Sequence, residues 1–288
     1  MRRGRLGWWV AAAALLPVAG ILAMRYTHPA VVLGPEVGAL LLLLNLAALS
    51  GALLAVSKAL TKTAFGFALG GLNRYTLARA QVALWTAVVF ATLLTAAEWN
   101  LALPAVAGAK GPLDIEIPGP LLAALGISLF SGIAAPAIVT VRGDTTFQAS
   151  SAQMQAAAAR TFNMTGQMPV LQARGQIVSN STPNEASWQD LFTGEDVSVA
   201  GRVDLSKVQQ ALLTLIIVSI YIAAILESFT PGTRMETLPP LGADAVRLLA
   251  ISHAGYLAYR GMPKPDASAA NPAPAPPPPP ALAAAPGG

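Results

Sequence analysis

Residues 37–57 read VGALLLLLNLAALSGALLAVS, 21 residues without a charge. A membrane helix needs about 20 mostly apolar residues, so this stretch is long enough to cross a bilayer. Residues 8–24, 80–97, 121–141 and 208–226 repeat the pattern. A sixth stretch, 241–259, is apolar but carries Asp244, Arg247 and His253. Hydropathy alone leaves it open between a span and an interfacial amphipathic helix.

Only 11% of the 288 residues are charged, against about 25% in soluble globular domains. That deficit, with a mean hydropathy of +0.56, excludes an ordinary soluble enzyme and a disordered chain. The apolar excess comes from Ala and Leu, which predicts an all-α polytopic membrane protein of about six transmembrane helices. The first span follows Arg2, Arg3 and Arg5. It lacks a clean A-x-A site, and we read it as an uncleaved anchor, with a signal peptide as the alternative.

Lys and Arg near the span ends set orientation. The N-terminus, the loop from Lys58 to Arg79, the region from Arg142 to Lys207, and Arg260 with Lys264 hold 14 of the 18 basic residues. Arg25, Lys110 and Arg234 fall on the other side. This predicts a plasma membrane protein with both termini cytoplasmic. The net charge of +4 then reflects topology, and no nucleic-acid partner is expected.

Two segments resemble each other. Residues 77–86 read LARAQVALWT and residues 205–214 read LSKVQQALLT. Arg79 aligns with Lys207 and Gln81 with Gln209. Farther on, LLAALGIS at 121–128 matches AVRLLAIS at 245–252, each preceded by prolines. The chain therefore divides into two N-terminal helices (1–60), a first hairpin (72–141), a cytoplasmic insert (142–204), a second hairpin (205–260) and a tail (261–288). Both hairpins start on the cytoplasmic side, as a parallel repeat. The match to 121–141 favours 241–259 as a span.

The run at 77–85, Leu-Gly-Ile-Ser at 125–128, Trp188-Gln-Asp-Leu191 and the run at 251–259 together resemble a family of bacterial multi-pass inner-membrane proteins. The likeness covers about residues 72–141 and 187–264. It implies the bacterial inner membrane and carries over no activity or site. Gln210 and Leu213 stand where that pattern has Met and Trp.

Residues 147–160 are Ala- and Gln-rich and predict a helix. From Thr161 to Val199 little large apolar surface is available, which suits a partly ordered excursion against the membrane helices or a partner. The tail holds ten of the 23 prolines and predicts an extended, disordered segment.

Asp244 and Arg247 are spaced i,i+3 and can pair. His253 falls near mid-helix and suits a neutral ring bonded to a hydroxyl or carbonyl. Arg79 and Lys207 are expected to snorkel to headgroups, each with a sharper option of pairing with a Gln or a lipid phosphate. Gln81 and Gln209 can hydrogen-bond across helices. The chain has no cysteine and only two histidines, and no phosphate-loop, H-E-x-x-H or nucleophile-elbow motif occurs. No catalytic residue, metal centre or cofactor is predicted.

The leading expectation is an anchor or scaffold that presents cytoplasmic segments to a protein partner or to its own copies. The alternative is a small oligomeric channel or transporter with a polar path near Asp244, Arg247 and His253.

Overall fold

The computed structural model describes Gly20 and residues 33–104, 110–143, 149–166 and 170–262. Apart from Gly20, the predicted span at 8–24 lies outside the described residues. So does the tail beyond Met262.

Among the described residues the helices are α1 (Pro35–Thr61), α2 (Leu77–Ala102), α3 (Gly119–Gly143), α4 (Ser151–Thr165), α5 (Leu205–Glu227) and α6 (Ala243–Gly261). Four of them, α1, α2, α3 and α5, are long and apolar enough to cross a membrane. The mostly helical chain and these four helices support a helical membrane protein. The shorter α6 has 19 residues, a length of about 28 Å at 1.5 Å per residue. Its charged residues lower its apolarity, and it is not among the four.

Local chemistry explains where the helices begin and end. Pro35 opens α1, where its missing N–H costs nothing, and Glu36 and Lys58 complement the helix dipole. Ser150 and Gln153 close a capping box on α4, and Gly166 ends it at φ 70°. The Asp204 carboxylate accepts from the amides of Ser206 and Lys207 at 3.0 and 3.4 Å and caps α5.

The helices form an up-and-down bundle in which α1–α2, α2–α3 and α5–α6 run antiparallel and α2–α5 and α3–α6 run parallel. α2 packs on α1, α3 and α5, whereas α6 packs on α3 and α5. The core holds Trp85, Trp99, Tyr221, Ile225, Leu238 and Leu249. The Trp85 and Tyr221 rings lie 6.4 Å apart, and Trp99 lies 5.2 Å from Phe229. Lipid tails are as apolar as leucine, so such helices hold together by close packing and interhelical hydrogen bonds. Both are present. Gly132 lets α3 approach α2, since a Cβ there would come 2.8 Å from Val82. Gln210 Nε2 donates to Gln81 Oε1 at 2.9 Å, and Gln81 Nε2 donates to Thr214 Oγ1 at 2.8 Å.

One departure from an all-helical reading stands between α4 and α5. Leu171–Arg174 (β1) and Ile177–Asn180 (β2) pair as an antiparallel hairpin. Its two-residue turn needs a left-handed residue, which Gly175 supplies at φ 55°.

The bundle has two distinct ends. At one, the ends of α1, α3 and α6 meet the starts of α2 and α5, beneath the segment 149–204; most loop cations gather here, and we term it the basic end. At the far end the loops pair with each other. Glu116 N donates to Glu236 O at 2.9 Å, and Leu238 N donates to Glu116 O at 3.0 Å. Asn100 bonds both the carbonyl and the amide of Met235.

Candidate functional site

The segment Asp190-Leu-Phe-Thr-Gly-Glu-Asp196 lies over the basic end and brings three carboxylates to the helix termini. Four cations meet them. Arg74, just before α2, donates from Nε to Asp190 Oδ1 at 2.9 Å. Its two remaining nitrogens bond Thr193 Oγ1 at 2.8 Å and Gly194 O at 3.1 Å. Lys207, in the first turn of α5, donates to Glu195 Oε1 at 3.1 Å and Thr193 O at 2.7 Å. Arg260, in the last turn of α6, pairs with Glu195 Oε2 and with the Tyr256 hydroxyl. Arg142, in the last turn of α3, pairs with Asp196 and donates to Arg260 O at 3.0 Å.

These ion pairs are buried, so each charge depends on its partner. Burial by itself would raise the Glu195 carboxyl, but the Arg260, Lys207 and Arg74 charges outweigh it and hold it down at about 2. The carboxylate is therefore ionised at any physiological pH. The arrangement is a lock: it fixes the segment 187–204 against four helix ends. Arg160 of α4 adds bonds to Ala200 O at 2.9 Å and Val197 O at 2.7 Å. An aromatic group closes the side, with Trp188 4.3 Å from Phe65 and 5.6 Å from Tyr75.

The chain matches no protein-family profile, no curated protein and no solved structure. Its site must therefore be read from its own chemistry. Among the described residues no group of three or more His, Asp or Glu is placed to hold a metal ion.

The residues singled out from the sequence fall in different places. Asp244 and Arg247 pair at 2.7 Å on the first turns of α6, with side chains 88% and 74% exposed. His253 is buried six residues beyond Arg247, its Nδ1 2.6 Å from Ser131 Oγ of α3. The three do not form one site. Arg79 stays partly exposed and donates to Leu69 O at 2.5 Å.

Two expectations require correction. Lys207 does not snorkel: it is 2% exposed and locked onto Glu195, because the segment 190–196 folds over the start of α5. Gln209 is not the partner-bonding counterpart of Gln81, since Gln209 is exposed and Gln210 makes the bond. One residue along a helix is a turn of about 100°, and the offset of 128 misses the inward face by that step.

Sequence reasoning also missed residues. Nothing in the sequence alone assigns a role to Asp190, Glu195 or Asp196. Arg260 gave a usable signal in Tyr256-x-x-x-Arg260, an i,i+4 pair ending an apolar helix. Glu98 falls one residue beyond the predicted span 80–97. It lies inside α2, 1% exposed, and accepts from Asn45 Nδ2 of α1 at 2.7 Å. Its other oxygen has no hydrogen-bond partner among the described residues. Glu98 forms no ion pair with a described cation.

Proposed function

We propose that the protein is a non-enzymatic anchor or scaffold of the bacterial inner membrane, both termini cytoplasmic. It presents its insert, 142–204, to a cytoplasmic protein partner or to further copies of the chain. Six spans are inferred, counting 8–24 and α6. α6 packs lengthwise on α3 and α5, as a span would. The hairpins α2–α3 and α5–α6 are read as a parallel repeat. The far-end loops support this, because an isolated parallel bridge joins Glu116 to Thr237 and sets Ile117-Pro118 beside Leu238-Pro239 in matching places.

The observation that carries the reading is the lock itself. Four separate helix ends each commit a cation, three of them buried and Arg142 nearly so, to hold one short segment in place. Such a device fixes a surface. That surface leaves Trp188, Phe192 and Val203 exposed, an apolar patch that suits a partner. The test is affinity purification of the full chain in mild detergent. A stoichiometric partner or a defined oligomer is expected, and it should be lost in a Phe192→Ser, Val203→Ser variant that still folds. A monomer with no stoichiometric companion would sink the proposal.

A small channel or transporter is the second reading, and Glu98 favours it more than Asp244, Arg247 and His253 do. A buried carboxyl without a cation, deep in a membrane helix, is a default candidate for ion handling. Proton or cation flux in reconstituted vesicles that Glu98→Gln abolishes would favour it over the scaffold.

A further inference from the structure

An apolar groove of about 560 Å³ runs between α1, α2 and α3. Its walls include Leu53 and Val56 of α1, Val82 and Phe90 of α2, and Leu129 and Ile133 of α3. The volume lies within the range of sites that hold small organic ligands. Among the described residues the groove carries one charged side chain, Arg79. That guanidinium spends one nitrogen on Leu69 O, and its other nitrogens have no partner among the described residues.

The same two helix faces continue into a second space. Leu129, Ile133, Pro136 and Thr140 are spaced four, three and four residues apart, so they form one stripe on α3. Thr76 precedes Arg79 by three residues on the α2 side. Pro136, Thr140 and Thr76 wall a cavity of about 70 Å³, several times the ~10–15 Å³ that one ordered water needs. Its wall also includes Gly70, next in the chain to the Leu69 that holds Arg79. Arg74, Arg174 and Arg260 face this cavity, with Glu195 as its one acid.

Two of these arginines have donors to spare. The Arg260 Nε is buried without a hydrogen-bond partner among the described residues. The Arg174 guanidinium pairs with no described residue. The lock around them sets four cations against three carboxylates, so it does not neutralise its own charge.

We propose that this groove and cavity seat one anionic membrane phospholipid. An acyl chain occupies the groove, and the headgroup phosphate lies at the basic end among Arg79, Arg174 and Arg260. Charge complementarity selects the occupant. An apolar protein segment would fill the groove and leave the spare guanidinium donors unpaired. Planar guanidinium donors suit phosphate oxygens well. The inference does not depend on whether the insert recruits a partner, and its readout is lipid rather than protein.

The experiment is native mass spectrometry of the purified full chain in a charge-free detergent, given equal amounts of phosphatidylglycerol and diacylglycerol. One phosphatidylglycerol retained per chain, in clear preference to diacylglycerol, is expected. Arg79→Gln and Arg174→Gln should each lower that retention roughly fivefold, the worth of one basic side chain beside an anionic headgroup. Ala83→Phe, which fills the groove, should lower retention of both lipids. In lipid-free detergent Arg174→Gln should leave the melting temperature unchanged, because that side chain pairs with no described residue. A lipid-free monomer would show the groove closed by the chain itself, for instance by residues 1–32, and would overturn the proposal. A lipid-free dimer would overturn it in favour of a second copy. So would retention that survives both arginine substitutions, or inorganic phosphate bound with no lipid retained.

Discussion

Gln210 is fully buried and shares a pair of bonds with Gln81 and the backbone between α2 and α5. Its neighbour Gln209 faces outward. Replacing Gln210 by Leu should cost about 1 kcal/mol, in the range measured for interhelical hydrogen bonds in membranes. Gln209→Leu should lie within error of the parent. Thermal unfolding in detergent compares the two. The contrast between Lys207 and Arg79 has the same character. Both open a helix at the basic end, yet only Lys207 has a carboxylate folded over it. Nothing in either ten-residue window announces that difference, because Glu195 lies twelve positions before Lys207 and is brought back by the chain's path.

At the scale of elements, apolar length identified four helices directly. Their close approaches were less legible. A Cβ on Gly38 of α1 would overlap the Phe229 ring, whereas one on Gly51 meets nothing within 4 Å. Gly38→Leu should therefore destabilise by about 1–3 kcal/mol through overpacking. Gly51→Leu should be neutral or mildly stabilising, since it removes a helix-interior glycine. A shift in melting temperature for Gly51→Leu as large as that for Gly38→Leu would contradict this packing. The β1–β2 hairpin shows another limit. Its strands are only four residues each and lack strong alternation, so the turn at Gly175 was the one local clue.

Across the whole molecule, the lock couples all four helix termini to pH. Glu195 stands at about 2 in the fold against an ordinary value of 4.5. A depressed carboxyl contributes stability that is present above its unfolded value and is lost as pH falls through the folded one. Stability should thus hold from neutral pH down to about 4.5 and then fall toward pH 2. Glu195→Gln should be less stable at pH 7 and flatter across that window, as melting curves in detergent would record. Glu195→Ala should cost more, about 3–5 kcal/mol, because it leaves Lys207 and Arg260 buried without their carboxylate.

The sequence by itself determined that the chain is a helical membrane protein, because apolar length and scarcity of charge are summed along the chain and need no partner. It also gathered most of the basic residues at one end. Only the tertiary structure decided which of them are spent and which are spare. Lys207, Arg74 and Arg142 are consumed by Asp190, Glu195 and Asp196, while Arg79, Arg174 and the Arg260 Nε keep donors free. Pairing depends on distance through space. Partners 65 and 116 residues apart in sequence meet here because five helix ends converge beneath one folded segment.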